Sequence, residues 1–120
     1  MPSVNIPYTW QLAESFGAQS DTVTWSTYRS ISGSPTFTVT DIQAYSGTFY
    51  RCFMKIDLLD SSNRVHGSGS LWKYWGSNAS CGLDVIGPAK SLKLRTTLNI
   101  YKNTAGQRDA SGSWKATLSW

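Results

Sequence analysis

Three large aromatic side chains fall within four positions of the sequence, at 72, 74 and 75. Flat aromatic rings stack on the apolar faces of sugar rings, while nearby amides, hydroxyls and ammonium groups bond to the sugar hydroxyls. Alternate residues of a strand point to opposite faces, so the three rings cannot all enter one core, and we expect at least one to be exposed. The candidate ligand-binding residues are Trp72, Lys73, Tyr74, Trp75 and Asn78. In the alternative interpretation, these aromatics cover a neighbouring sheet or loop.

A second candidate surface is basic. Lys93, Arg95 and Tyr101 alternate along one predicted strand, and Lys115 falls across the predicted hairpin from them. Such a stripe could hold a phosphate backbone with a ring stacked on the tyrosine. A solvated sheet face mixes lysine and threonine in the same way and discourages association between sheet edges.

The residue inventory argues against catalysis. His66 is the single histidine, and no nucleophile motif accompanies it. Zinc needs three or four ligands, which one histidine and two distant cysteines do not provide. Asp57, Asp60 and Asn63 carry oxygens suited to calcium, but their spacing is typical of a turn. The sequence therefore predicts a protein that is not an enzyme and uses no metal or cofactor.

Bulk composition limits the choice of partners. The 120 residues suffice for one domain, predicted over 1–120, and 15% of them are charged. A net charge of +4 allows attraction to anionic polymers or membranes, but it falls short of a dense nucleic-acid binder. No apolar run is long enough to span a membrane.

The two cysteines bear on the compartment. Cys52 and Cys81 form an even pair in a small chain rich in serine, threonine and glycine, which favours a disulfide in an oxidising compartment. Two separate buried thiols are the alternative. Residues 1–20 lack the basic start and the apolar stretch of a signal peptide. We expect a secreted or extracellular protein in its mature form, and the sequence leaves open whether Met1 replaces a removed signal. A cytoplasmic protein and a viral product remain the other interpretations.

Alternating residues predict strands throughout. Residues 48–75 read as a hairpin around the turn at 60–64, and the segments 91–102 and 113–120 read as a second hairpin. In the returning strand of the first hairpin, Gly67 and Gly69 either leave a groove or let another layer approach closely. The tryptophans expected in the core are Trp10, Trp25, Trp114 and Trp120.

These patterns predict an all-β domain with seven or eight strands, arranged as a jelly-roll or immunoglobulin-like antiparallel β-sandwich, with a small β-barrel as the alternative. Three functions fit it. The first is an exported module that binds a carbohydrate or cell-surface ligand through exposed aromatics. The second is a structural subunit of a virion, fibre or surface layer, which would be a homo-oligomer. The third is a cationic secreted toxin or antimicrobial.

Overall fold

The computed structural model describes residues 2–12, 18–46, 51–74, 78–101 and 110–120. Nine strands occur in these ranges: β1 (Ser3–Leu12), β2 (Ala18–Thr24), β3 (Arg29–Gly33), β4 (Thr36–Ser46), β5 (Arg51–Leu59), β6 (Val65–Tyr74), β7 (Ala79–Gly82), β8 (Val85–Tyr101) and β9 (Ala110–Ser119). The described residues contain no helix. The sequence predicted seven or eight strands, and the structure adds to that number mainly through the short strands β3 and β7.

The strands form two antiparallel sheets. One has the order β1-β9-β4-β7, and the other has the order β2-β8-β5-β6, with β3 also paired to β8. β2 and β3 lie one after the other along the same edge of β8, because β8 is 17 residues long. The predicted all-β architecture of two packed antiparallel sheets is confirmed.

The core lies between the sheets and follows from the alternation of apolar and polar residues. In β8, Leu92, Leu94 and Leu98 are buried, whereas the intervening Lys93 and Arg95 are partly exposed. Among the tryptophans expected inside, Trp114 is fully buried, and Trp25 and Trp120 pack partly buried against the core. The side chain of Trp10 lies outside the described residues.

Two glycines let the sheets approach closely at one side of the sandwich. A Cβ atom on Gly67 would collide with the carbonyl oxygen of Leu83, and one on Gly69 would lie 2.5 Å from the carbonyl oxygen of Gly82. The backbone that follows β7 therefore crosses directly over β6, which only glycine permits. Of the two outcomes predicted for these glycines, the close approach of another layer is the one observed.

The predicted first hairpin is confirmed, since β5 pairs with β6 around the turn. The predicted second hairpin is wrong. β8 is already paired on one side with β5 and on the other with β2 and β3, so it offers no free edge to β9. β9 instead pairs with β1 and β4 in the opposite sheet.

The predicted disulfide between Cys52 and Cys81 is also wrong. Cys81 is a free thiol whose Sγ atom lies 3.1 Å from the position of a Cβ on Gly69. Cys52 is in register with Lys73, four residues from Gly69 along β6, which corresponds to about 13 Å. Bridged cysteines need Cα atoms within about 7 Å of each other. The side chain of Cys52 itself lies outside the described residues.

Candidate functional site: the outer face of the five-stranded sheet

The exposed side of the sheet β2-β8-β5-β6 forms a continuous surface of polar and aromatic side chains. Register pairs place side chains of neighbouring strands next to one another in rows. We call this surface the outer face and define it by Phe53, Lys55, Asp57, Ser68, Ser70, Trp72, Lys93, Arg95, Thr97 and Asn99. These residues occupy alternate positions of three adjacent strands, so the sheet itself fixes their relative placement.

An aromatic pair lies at one end of the outer face. Phe53 and Trp72 are direct cross-strand partners, and their ring centroids lie 5.0 Å apart at an interplanar angle of 53°. Trp72 is 42% exposed. Asn99 follows on the other side of Phe53, in β8. The pair thus forms an apolar platform beside an amide, an arrangement suited to stacking against a ring that also carries hydroxyls.

An ion pair lies at the centre of the outer face. Arg95 donates two hydrogen bonds to Asp57 Oδ2, one from Nε at 3.2 Å and one from Nη2 at 2.9 Å. The Ser68 hydroxyl donates a hydrogen bond to Asp57 Oδ1 at 2.9 Å. The Asp57 side chain is only 3% exposed, whereas that of Arg95 is 32% exposed. Both carboxylate oxygens are therefore bonded within the protein, and the guanidinium faces solvent.

Two lysines extend the charge on either side of Arg95. Lys55 is exposed in the row next to the ion pair, and Lys93 lies in the row beyond it. The Lys93 Nζ atom lies 5.6 Å from the centroid of the Tyr28 ring, which is itself 42% exposed. The outer face thus carries a cation above a second aromatic ring, at the end opposite Trp72.

A shallow depression of about 580 Å³ adjoins the Tyr28 end and is lined by Tyr28, Asp60, Ser61, His66, Lys90 and Ser91. His66 Nε2 lies 2.7 Å from Asp60 Oδ2. The bond from His66, and then the bond from the Arg64 backbone N–H, lower the pKa of Asp60 to about 2. Lys90 Nζ donates to the carbonyl oxygens of Ile86 and Pro88 at 2.7 and 3.2 Å. Asp60, His66 and Lys90 are thus already engaged in hydrogen bonds within the protein.

The turn between β5 and β6 explains the position of Asp60. Asp60 Oδ1 accepts hydrogen bonds from the backbone N–H groups of Ser62 and Arg64, at 2.8 and 3.0 Å. Asn63 adopts a φ of 63°, a left-handed conformation that asparagine tolerates better than most residues. The predicted turn at Asp60 and Asn63 is therefore present, and its acidic side chain bonds to backbone. The described residues contain no cluster of three or more His, Cys, Asp or Glu side chains that could hold a metal ion.

The structure separates the predicted aromatic site. Trp72 is exposed, in agreement with the expectation that at least one of the three rings lies outside the core. Lys73 is only 2% exposed and points into the sandwich, so its prediction as a surface ligand is wrong. Asn78 is exposed, but it precedes β7 in the opposite sheet. Trp75 and the side chain of Tyr74 lie outside the described residues.

The predicted basic face is divided as well. Lys93 and Arg95 share the outer face, but Lys115 lies on β9, in the opposite sheet, because the second hairpin does not form. The side chain of Tyr101 lies outside the described residues.

Sequence reasoning missed Phe53 and Tyr28. Phe53 was detectable, because it is an aromatic at a position that alternates with the buried face of β5, next to Lys55 and Asp57. Tyr28 was not, since it lies between β2 and β3 and reaches the outer face only through pairing with β8.

Comparison with known proteins gives only distant likenesses. Neither the scan against protein-family models nor the search of curated proteins found a match. Several solved structures match, and the three given below match at TM-scores under 0.5. The glycosylation-associated protein (Gap123) complex of Streptococcus agalactiae matches with a TM-score of 0.45 and 9% identity, over 96% of this chain and 20% of that one.

The CBM36-1 domain of a multidomain xylanase, from the hindgut metagenome of Trinervitermes trinervoides, matches with a TM-score of 0.41 and 14% identity, over 99% of this chain and 98% of that one. The VP2 subviral particle of infectious bursal disease virus matches with a TM-score of 0.44 and 12% identity, over 95% of this chain and 32% of that one. The present chain thus spans 20% and 32% of the length of the streptococcal and viral chains. At these TM-scores the likenesses carry no argument about function. No helix of the described ranges has the length and apolarity needed to cross a membrane.

Proposed function

We propose that this chain is a non-enzymatic binding module that works outside the cell and holds an extended polysaccharide on its outer face. The observation that carries the proposal is the exposed Trp72 ring, paired with Phe53 at 5.0 Å on a surface of otherwise polar side chains. An exposed indole on a sheet face offers apolar area that a sugar ring can cover without losing its hydroxyl contacts.

The layout of the outer face favours a long ligand over a small one. Phe53 and Leu59 are six residues apart on β5, and Leu59 is in register with Lys93, whose Nζ atom lies over the Tyr28 ring. Six residues of strand correspond to about 20 Å, which separates the two aromatic ends. Serine, threonine and lysine side chains and the ion pair of Asp57 with Arg95 fill the rows between them. Such a surface fits several consecutive sugar rings better than one.

The proposed extracellular location rests on the ligand class alone. The predicted disulfide would have supported an oxidising compartment, but Cys81 is a free thiol. Extended polysaccharides that a surface module could meet lie mainly outside cells, which is the remaining support.

Binding to immobilised polysaccharides tests the proposal. Trp72→Ala is expected to weaken binding at least about tenfold, because truncation of an aromatic anchor commonly costs more than 1.4 kcal/mol. Ile86→Ala is the matched control, since Ile86 is 87% exposed and lies away from the outer face, in the bulge before Lys90. Equal binding by wild type, Trp72→Ala and Ile86→Ala would contradict the proposal.

A second candidate function is a self-assembling structural subunit. The exposure of Val65, Trp72 and Ile86 favours it, because contacts between copies would cover these apolar side chains. Light scattering coupled to size-exclusion chromatography distinguishes the two functions. A stable oligomer that Trp72→Ala dissociates would favour the subunit, and a monomer over a wide concentration range would favour the binding module.

A further inference from the structure

The outer face carries a row of cations that the proposed function does not by itself require. Lys55 is in register with Thr97, and Arg95 and Lys93 follow at successive alternate positions of β8. Alternate residues of a strand are about 7 Å apart, so the three cations succeed one another at about that interval. The row starts beside the aromatic platform and ends at Tyr28.

Two acidic side chains described on this side of the sheet, Asp57 and Asp60, are already engaged. Asp57 is buried beneath Arg95 and Ser68, which bond both of its oxygens. Asp60 bonds to His66 and to two backbone N–H groups. In the central rows, Lys55, Lys93 and Arg95 contribute +3 against −1 from Asp57, which leaves a formal charge of +2. A ligand that lies along these rows therefore meets a positive surface.

The Arg95 guanidinium is oriented for a second anion. Only Nε and Nη2 bond to Asp57, and both bond to the same oxygen, Oδ2. A guanidinium has five N–H donors in a fixed plane, so Nη1 and the second hydrogen of Nη2 are left to bond elsewhere. Because Asp57 is fixed by Ser68 as well, the side chain of Arg95 is held in place before any ligand arrives. Such a group recognises carboxylate, sulfate or phosphate oxygens with little loss of side-chain freedom.

We infer that the polysaccharide is an anionic one, whose carboxylate or sulfate groups bond to Arg95 and to the flanking Lys55 and Lys93 while its rings lie on Trp72 and Tyr28. This inference rests on the proposed function, because it assigns the ligand class of the same outer face. A linear polymer with an anionic group on each repeating unit can place successive anions beside the successive cations of this row. Nucleic acid also repeats its charge, but the sugar rings of a polysaccharide match the isolated platforms better than a continuous stack of bases.

Two pairs of polymers with matched backbones test the inference. Polygalacturonate is compared with its methyl ester, and dextran sulfate with dextran, by isothermal titration calorimetry at low ionic strength. We expect at least one charged polymer to bind at least about tenfold more tightly than its neutral partner, and its affinity to fall as salt screens the cations. Equal affinity for the charged and neutral members of both pairs overturns the inference but leaves the proposed function intact. Binding to none of the four polymers overturns both.

Variants of the two lysines test whether the preference for a charged polymer arises at the outer face. The double variant Lys55→Gln/Lys93→Gln keeps both side chains long and polar, and it is expected to weaken binding of the charged polymer about tenfold. Lys115→Gln is the matched control, since Lys115 is an exposed lysine of the opposite sheet. Equal losses from the double variant and from Lys115→Gln would overturn the assignment to the outer face. Inorganic polyphosphate is the probe for charge alone, and binding to it as tight as to the charged polysaccharide, unchanged in Trp72→Ala, would overturn the choice of a sugar polymer.

Discussion

Arg95 Nη2 lies 2.9 Å from Asp57 Oδ2 across the strand pair β5 and β8, on the outer face of the five-stranded sheet. The carboxylate is buried and the guanidinium is partly exposed, so the two partners contribute differently. Asp57 depends on Arg95 for compensation of its charge, whereas Arg95 remains partly hydrated without Asp57. The ion pair therefore both stabilises the sheet and directs a cation outward.

Removal of the arginine alone is expected to destabilise the fold. Arg95→Gln leaves a buried carboxylate without its charged partner, and we expect a loss of about 2 kcal/mol in the free energy of unfolding. Urea unfolding measures this value. Lys55→Gln is the control, and its effect should stay within about 0.5 kcal/mol, as for other surface changes. The double variant Asp57→Asn/Arg95→Gln should be more stable than Arg95→Gln, and the opposite order would contradict the account.

The bond between Asp60 and His66 predicts a dependence of stability on pH. The pKa of Asp60 is lowered in the folded state from 3.8 to about 2, so its contribution to stability is complete above the unfolded value and is lost as the pH falls through about 2. Wild type should therefore be more stable than Asp60→Asn near neutral pH, and the difference should shrink as the pH falls from 3.8 to about 2. Thermal unfolding at a series of pH values measures it. Asp84→Asn, which removes an exposed carboxylate outside the turn, serves as control, and a difference that persists below pH 2 would contradict the prediction.

Cys81 is expected to resist alkylation in the folded protein. Burial raises the pKa of its thiol from 9.0 to about 11, so the reactive thiolate is scarce at neutral pH. Since the folded pKa is raised, this thiol's contribution to stability is complete below pH 9.0 and is lost as the pH rises through about 11. Peptide mapping after treatment with iodoacetamide checks the reactivity. Cys81 should be modified in urea without any reductant, and a requirement for reductant would reveal the disulfide that the structure lacks.

The crossing of β6 by the chain after β7 predicts a strong effect at Gly69. Gly69→Ala places a methyl group 2.5 Å from the carbonyl oxygen of Gly82, which is backbone and cannot rotate away. We expect a loss of about 3 kcal/mol in unfolding free energy. Gly82→Ala is the matched control, because its added methyl would meet nothing within 4 Å. Similar unfolding midpoints for the two variants would show that the sheets do not approach as closely as described.

The sequence was informative wherever local alternation decides the structure. The buried and exposed faces of β5, β6, β8 and β9 follow from every second residue, because a strand can bury only one face in a two-layer sandwich. The turn at Asp60 was also predictable, since aspartate and asparagine have local hydrogen-bonding roles.

The pairing of distant strands could not be predicted in this way. The segments of β8 and β9 read as a hairpin because they are neighbours in sequence, but alternation is the same whether a strand pairs with its neighbour or crosses to the other sheet. Because the partner of β8 could not be predicted, Lys115 was expected beside Lys93 and Arg95, although it lies in the opposite sheet. For the same reason the contact of Arg95 with Asp57 was not predicted. The candidate site was therefore only partly visible: Trp72, Lys93 and Arg95 were identified, and their common surface was not.

The most direct test of the account is an NMR titration of the ¹⁵N-labelled chain with oligosaccharides of polygalacturonate and with sulfated dextran fragments. The account predicts that amide shift changes concentrate in residues 53–57, 68–72 and 93–99, the stretches that carry the outer face, and that they weaken in Trp72→Ala. Shift changes concentrated in β4 and β9, or none with any of these ligands, would contradict the claim that the outer face binds a polysaccharide.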